Sequence, residues 1–165
     1  MKRSDFFEFL TRFAEQPIPA TINRHIYLWV GEIDDLLSKS PVGIIKKLDL
    51  HVLCGGLTKT PLGDKAAGRI LSDAIDEWMS RNFPAGQQQQ ALLITGLDLL
   101  YRYRLPLSGF IQLANENNMV IFGLSSIDAN FHPTKPIPSY IQLSPYAILK
   151  YAASEISEEA IVKEE

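Results

Sequence analysis

The sequence predicts an α/β protein built as a three-layer sandwich, with a mostly parallel five-stranded sheet and helices on both faces. Short apolar runs alternate with segments of helical periodicity, which is typical of parallel strands joined by right-handed crossovers. Two of these runs, residues 91–97 and 119–126, are apolar on both faces and should therefore lie centrally. The length of 165 residues fits a single domain, 1–165.

An amphipathic helix is expected at the N-terminus, within residues 1–16. Ser4 can cap this helix, and the acidic residues of its first turns suit the positive end of the helix dipole. Its large apolar residues recur at helical spacing: Phe6, Phe9, Leu10 and Phe13. Two interpretations stay open, because this apolar face either packs on the domain itself or forms a docking surface for another subunit.

Strands and helices then alternate along the chain. The β-branched and aromatic run 25–31 predicts the first strand, and the apolar spacing of 32–40 predicts a helix after it. Ser40 and Pro41 then suit the start of a further short helix, with serine as the cap and proline in the first turn. The run 48–54, which ends before two glycines, predicts the second strand.

The second half of the chain continues the alternation. Residues 66–82 carry the clearest helical stripe, which is formed by Ala67, Ile70, Leu71, Ala74, Ile75 and Trp78. A helix over 106–118 is expected between the third and fourth strands, 91–97 and 119–126. A short fifth strand over 140–144, a closing helix over 145–156 and a solvated acidic tail over 155–165 are expected to follow.

Composition and charge exclude several classes of protein. The net charge of −3 creates no global field that would attract nucleic acid or an anionic membrane. Cys54 is the only cysteine, so neither an internal disulfide nor a multi-cysteine metal site can form. No apolar run approaches the roughly 20 residues that a membrane span needs. We therefore expect a cytoplasmic protein without membrane contact.

The histidines and the cysteine suggest no catalytic or metal site. His25, His51 and His132 lie in different segments and lack metal-ligand spacing, so no metal is expected. His51 is interpreted as a hydrogen-bonded core or interface residue within the second strand. Cys54 is either a buried inert thiol or a nucleophile whose pKa a helix N-terminus would lower.

Polar and glycine residues follow several of the predicted strands. In open parallel sheets, ligands bind beyond the carboxyl ends of the strands. The positions to consider are therefore Gly31–Glu32, Gly55 to Thr60, Thr95 to Asp98, and Ser125–Ser126.

The layout of residues 24–153 resembles the RecA-like core of P-loop NTPases in the order of its elements. In that family the first strand leads into a glycine-rich loop with Lys-Ser/Thr, whose backbone N–H groups hold phosphates. Here the strand continues as "WVGEIDDLLSKS", with one glycine, no glycine before a lysine at the required spacing, and two acidic residues, Asp34 and Asp35. Lys39 and Ser40 come too late in the segment. The phosphate loop that defines the family is therefore missing.

A second glycine-containing loop, "CGGLTKT", can be interpreted in two ways. Exposed N–H groups together with Lys59 would bind an anion, or the glycines would serve only a strand-to-helix turn. The segment departs from the P-loop pattern, because Leu53 and Thr58 stand where that pattern requires glycine. The candidate nucleotide- or anion-binding residues, at this loop and at the ends of the third and fourth strands, are Gly55, Gly56, Thr58, Lys59, Thr60, Asp98 and Ser125.

The run "ALLITGLD", residues 91–98, corresponds to the strand that carries the metal ligand in the resembled family. Thr95 and Gly96 occupy the positions of the metal-binding aspartate and the catalytic glutamate. Asp98 comes three residues later than Thr95. It lies on the opposite face if the strand continues, and it can point toward the crevice if a helix or turn begins at Gly96. The run therefore resembles an active-site strand without its metal ligands.

A narrower resemblance concerns the small P-loop proteins of BREX-type phage-defence systems. The stretches "ITGLDLLYRYRLPLSGFIQL" and "MVIFGLSS" are similar to a region of those proteins, which have an acidic residue three positions after the metal-ligand position, a leucine-rich helix and an aromatic fourth strand. This resemblance implies a role in antiviral defence.

One short basic and aromatic segment could contact a partner. Tyr101, Arg102, Tyr103 and Arg104, with Lys135 on a proline-stiffened loop, combine stacking groups with phosphate-binding cations. Single-stranded nucleic acid, an acidic protein surface and plain solvation all fit this pattern.

These features favour a non-catalytic P-loop-like subunit or adaptor of a larger assembly, with no cofactor and with protein subunits of the same or a different chain as partners. A nucleic-acid-binding accessory factor and an ATPase with an unusual phosphate loop are the alternatives.

Overall fold

A computed structural model of the chain describes residues 1–19, 25–56, 63–86, 88–125 and 156–164. Its helices are α1 (Arg3–Glu15), α2 (Ile33–Lys39), α3 (Leu50–Gly55), α4 (Asp64–Asn82), α5 (Leu97–Arg102) and α6 (Ser108–Ile111), with a 3-10 turn at Glu158–Ala160. Its strands are β1 (Ile26–Val30), β2 (Ile45–Asp49), β3 (Gln90–Thr95), β4 (Asn118–Leu124) and β5 (Ile161–Val162).

The five strands form one sheet in the order β2-β3-β4-β1-β5, and every neighbouring pair is parallel. The predicted parallel α/β sheet is therefore confirmed. Every residue of β3 and β4 is buried, as expected for strands that are covered on both faces. Among the described residues, no helix is long and apolar enough to cross a membrane.

Helices pack on both faces of the sheet. Trp29 of β1 is in register with Gly123 of β4, so both residues face the same side. On that side α1 places Phe6 near Trp29, with 6.2 Å between the ring centroids, and α2 places Ile33 against Gly123. On the opposite side Phe110 of α6 meets Phe122 edge-on. This arrangement agrees with a three-layer sandwich.

The N-terminal helix packs against the chain's own sheet. Phe6, Leu10 and Phe13 are fully buried, and Phe9 makes ring contacts with His25 and Tyr27. Aromatic residues on β1 thus receive the apolar face of α1. These side chains serve the core of this chain, which is the first of the two interpretations that the sequence allowed.

The predicted second strand over 48–54 is wrong in its position. The strand β2 ends at Asp49, whose Oδ1 accepts hydrogen bonds from the backbone N–H groups of His51 at 3.0 Å and Val52 at 3.2 Å. That carboxylate caps a helix, so Leu50–Gly55 is α3. The apolar run contains a strand end and a helix, and its period does not separate the two.

Two expected helices are also corrected. The segment after Ser40 and Pro41 forms a turn that leads into β2, and no helix is present there. The helix expected over 106–118 is reduced to α6, with turns after it. Asn115 explains its early end, because its Oδ1 accepts hydrogen bonds from the backbone N–H groups of Asn117 and Asn118.

The acidic tail is ordered where the structure describes it, contrary to the expected solvated end. The strand β5 pairs with β1 at Leu28 and Trp29, and Val162 is fully buried. The alternation of apolar and charged residues in "AIVKEE" permits such an edge strand despite the acidic composition. The expected strand over 140–144 and most of the expected closing helix lie outside the described residues.

Candidate functional site

Buried polar side chains collect at the carboxyl edge of the sheet. Thr95 ends β3, Asp98 follows it in the first turn of α5, and Ser125 follows β4. All three are nearly inaccessible to solvent. This is the edge at which parallel sheets bind their ligands, and it is the edge at which the sequence placed the candidate residues.

The central contact of this edge is a pair formed by His51 and Asp98. The Nε2 atom of His51 lies 2.9 Å from Oδ1 of Asp98. The Asp98 side chain is 1% exposed, whereas that of His51 is 30% exposed. The buried carboxylate of Asp98 therefore helps to orient the imidazole of His51, and the imidazole is the member of the pair that reaches solvent.

Gly96 permits this close approach. Its φ of +82° lies in the left-handed region, where residues with a Cβ are disfavoured. A Cβ at this position would lie 3.0 Å from Cδ2 of His51 and 3.1 Å from Cβ of Leu50. Gly96 thus turns the chain from β3 into α5 and leaves room for the start of α3. Of the two placements that the sequence allowed for Asp98, the structure has the one in which a helix follows Gly96.

Two buried oxygen atoms at the end of β3 lack hydrogen-bond partners. They are Oγ1 of Thr95 and Oδ2 of Asp98, for which no donor or acceptor is found among the described residues. A buried polar atom without a partner costs on the order of 1–3 kcal/mol, and more when it is charged. The edge therefore retains unused hydrogen-bonding capacity on β3 and α5.

Cys54 lies on α3 in the same region and is partly buried. Burial and the nearby negative charge of Asp98, in that order, raise the pKa of its thiol. A thiol with a raised pKa is protonated at neutral pH and is a poor nucleophile. This electrostatic environment agrees with the interpretation of Cys54 as an inert thiol.

The carboxyl end of β1 is occupied by the side chain of Arg3. Its Nη2 donates to the carbonyl oxygen of Val30 at 2.8 Å, and its Nη1 contacts Oε1 of Glu164 at 2.7 Å. The guanidinium also lies over the ring of Trp29, 4.8 Å from the centroid. A Cβ on Gly31, whose φ is +143°, would meet Nη2 of Arg3, so a larger residue at this position would displace the guanidinium.

The connection between β1 and α2 is very short. Only Gly31 and Glu32 separate the strand from the helix, and the N–H of Gly31 donates to the carbonyl oxygen of Leu124 at 3.0 Å. Asp34 and Asp35 lie in the first turn of α2 and are exposed. This connection has no room for a phosphate-binding loop, and its charged groups are negative.

The glycine pair of "CGGLTKT" lies at the end of a helix. Gly55 is the last residue of α3, and the N–H of Gly56 donates to carbonyl oxygens of that helix. Thr58, Lys59 and Thr60 lie outside the described residues. The anion-binding hypothesis for this loop therefore stays a prediction.

The basic and aromatic segment does not form a continuous exposed patch. Arg102 is largely buried, lies 3.9 Å from a carboxylate oxygen of Asp64 and packs over the ring of Tyr103. Arg104 is exposed and has a φ of +54°. Lys135 lies outside the described residues.

Two contacts at this edge were missed from sequence. Arg3 and Glu164 are ordinary charged residues near the two ends of the sequence, and no local pattern brings them together. The pairing of His51 with Asp98 depends on α3 beginning at Leu50, and the available indication of that start was Asp49, which is of a residue type that caps helices.

Comparisons with known proteins give no relative. No protein-family model, no curated protein and no solved structure matches this chain. Within the described part of the chain, no group of three or more histidine, cysteine, aspartate or glutamate side chains is arranged to hold a metal ion.

Proposed function

We propose that this chain is a non-catalytic, P-loop-like subunit of a larger protein assembly. The observation that carries the proposal is the end of β1, where Arg3 fills the space over Gly31 and α2 begins after two residues. A phosphate loop needs several consecutive backbone N–H groups that face an open space. The N–H of Gly31 is already bonded to β4 at this position.

The parallel sheet supports the P-loop-like part of the proposal only at the level of architecture. All five strands are parallel, and β1 lies beside β4 with β3 on the other side of β4. A parallel sheet covered by helices on both faces is the scaffold that the resemblance implies.

The end of β3 supports the non-catalytic part. Thr95 stands at the metal-ligand position, and a neutral hydroxyl attracts a magnesium hydration shell much less than a carboxylate does. Asp98, the nearest carboxylate along the chain, is engaged with His51. We extend the resemblance to BREX-type proteins into the proposal that the assembly acts in phage defence.

Nucleotide binding tests the non-catalytic part. We expect no saturable heat signal when Mg-ATP, Mg-ADP or Mg-GTP is titrated into the purified protein up to millimolar concentration. Lys59→Ala is the matched variant, because Lys59 belongs to the remaining phosphate-loop candidate. A micromolar dissociation constant that Lys59→Ala abolishes would refute the proposal in favour of the ATPase alternative.

Complex formation tests the subunit part. Tagged protein recovered from its own cells at native expression should elute with defined additional chains in constant proportion, well above its own 18.5 kDa. Recovery only as the monomer would contradict the proposal. Deletion of the gene should lower resistance to phage, measured as a rise in plating efficiency, and unchanged plating would remove the defence assignment alone.

A further inference from the structure

Among the described strands, β2 lies at one side of the sheet and pairs with β3 alone. The carbonyl oxygen of Ile44 accepts a hydrogen bond from the N–H of Ala91 at 2.8 Å, so the backbone of Ile44 faces β3. Because the backbone groups of successive strand residues point in opposite directions, those of Lys46 also face β3, and those of Ile45 and Lys47 point away from the sheet. We refer to this outward side of β2 as the β2 edge.

The backbone groups of the β2 edge have no partner in the described part of the chain. No hydrogen bond from a turn, a loop or a side chain reaches the N–H or C=O of Ile45 or Lys47 from the outward side. These groups are therefore left to solvent. A strand edge of this kind is a template for a further strand, because each added residue satisfies exposed donors and acceptors.

An exposed valine lies beyond each end of the β2 edge. Val42 is three residues before the start of β2 at Ile45, and Val52 is three residues after its end at Asp49. Val42 is fully exposed, and Val52 is 72% exposed. Single apolar side chains are common on protein surfaces, but these two flank the same exposed strand. A segment laid along β2 would therefore find an apolar contact near both of its ends.

The side chains of the β2 edge are positively charged. Lys46 and Lys47 are adjacent in β2 and so lie on opposite faces of the sheet. Lys46 makes no ion pair with another described residue, and Nζ of Lys47 lies 3.9 Å from Oδ2 of Asp49, whose other oxygen caps α3. Carboxylates on an added strand would meet a lysine on either face, and cross-strand pairs of opposite charge stabilise a sheet.

A second copy of this chain fits the β2 edge poorly. Two copies related by a twofold axis would pair their β2 strands in antiparallel orientation. With the axis at the central residue of the strand, Lys47 would lie opposite its own copy, and with the axis one residue earlier Lys46 would do so. Like charges directly opposite each other destabilise a strand pair. The charge of the edge therefore favours an acidic segment of a different chain.

We propose that the β2 edge binds an extended acidic segment of a partner subunit, which adds a strand to the sheet. The proposal rests on the subunit function above and names how the partner is held. The outward backbone groups of Ile45 and Lys47 pair with the backbone of the segment. The ammonium groups of Lys46 and Lys47 pair with its carboxylates. In such strand additions the backbone bonds supply affinity and the side chains supply specificity.

Fluorescence anisotropy with the full-length protein and three labelled peptides tests the proposal. The first peptide has two adjacent glutamates at its centre, between valine and threonine residues. The second has lysines in place of the glutamates. The third keeps the glutamates but carries N-methyl groups on their amides, which blocks pairing along either side of the peptide. The second and third should bind at least about tenfold more weakly than the first. No binding of the first peptide at millimolar concentration, or equal binding of the third, would overturn the proposal.

Matched double variants of the protein separate this site from general attraction between opposite charges. Lys46→Gln with Lys47→Gln should weaken binding of the first peptide at least several-fold. Lys65→Gln with Arg69→Gln removes the same charge from exposed positions of α4 and should change binding by less than about twofold. Equal effects of the two double variants would contradict the assignment to β2.

Hydrogen exchange of single amides, measured by NMR, locates the contact. In the free protein the amides of Ile45 and Lys47 should exchange much faster than those of Lys46 and Leu48, which face β3. A saturating concentration of the first peptide should slow exchange at Ile45 and Lys47 at least about tenfold. Bound peptide that leaves these two amides unprotected would rule out strand addition at β2.

Lys47→Pro tests the same edge in the assembly recovered from cells. Proline removes an outward N–H and leaves the bonds to β3 in place, so the variant should fold and lose its partner chain. If it does not fold, the double variant of Lys46 and Lys47 takes its place. An assembly that neither variant changes would overturn this proposal and leave the subunit function standing, whereas no assembly with the unaltered chain would refute the subunit function itself. A dimer of the purified protein that these variants dissociate would assign the edge to a second copy instead.

Discussion

Gly96→Ala should destabilise the protein by more than its backbone strain alone. The substitution places an Ala residue at a φ of +82°, which costs about 1–2 kcal/mol for a residue with a Cβ. The new methyl group would also lie 3.0 Å from Cδ2 of His51 and 3.1 Å from Cβ of Leu50. Those atoms belong to the start of α3, and moving them adds roughly 1 kcal/mol or more. We expect a total of about 2–3 kcal/mol.

Two other glycines of the chain provide matched controls. Gly43 has a φ of +79° with no atom within 4 Å of the Cβ position, so Gly43→Ala measures the strain alone. Gly109 lies in α6 without a positive φ and also has open space around it, so Gly109→Ala measures neither effect. It should be neutral or slightly stabilising, since alanine restricts the unfolded chain.

Urea unfolding monitored by tryptophan fluorescence gives the free energies of unfolding of the three variants. The expected order of destabilisation is Gly96→Ala, then Gly43→Ala, then Gly109→Ala. Equal values for the first two variants would show that the close contact between α3 and Gly96 adds nothing to the cost of the substitution. That result would refute our account of how His51 reaches Asp98. A changed urea dependence would indicate a changed unfolded state instead.

Three further measurements test separate parts of the structure. Phe13→Ala should lower the free energy of unfolding by about 3–5 kcal/mol, because it removes a fully buried ring, and a loss below 1 kcal/mol would contradict the packing of α1. Alkylation of Cys54 by iodoacetamide should be slow at pH 8 and faster in Asp98→Asn, since the negative charge of Asp98 helps to raise the thiol pKa; an unchanged rate would oppose this. Burial raises the pKa of Tyr27 to about 12, so the stability that its buried phenol contributes is complete below pH 10 and is lost as the pH rises to about 12; Tyr27→Phe should make unfolding less pH-dependent in that range.

The sequence predicted those elements whose apolar period is long or whose burial is complete. The strands β1, β3 and β4 and the helix α4 follow from such patterns, within two residues at each end. The parallel order of the sheet followed from the alternation of strands and helices. Because β3 and β4 are apolar on both faces, their central position in the sheet could be predicted without knowing which strands they pair with.

The region of β2 and α3 could not be read in the same way. A seven-residue apolar run fits a strand and a short helix equally well. Here the side chain of Asp49 caps the N-terminus of a helix, and this cap favours the helix. The sequence predicted that Thr95, Asp98 and Ser125 lie at or just after the ends of strands. It did not predict the partners of Asp98 and Arg3, because these contacts join residues that are 47 and 161 positions apart in the chain.

The two halves of the carboxyl edge differ in what they can still bind, and this difference restricts where a ligand can act. At β1 the edge is closed by Arg3, whose guanidinium bonds to Val30 and Glu164. At β3 and α5 two buried oxygens remain without partners, beneath a histidine that reaches the surface. The carboxylate oxygen of Asp98 only accepts hydrogen bonds, whereas the hydroxyl of Thr95 can both accept and donate them. Buried polar atoms without partners are costly, so a hydrogen-bond donor that reached the β3 half of the edge would add to the stability of the fold there.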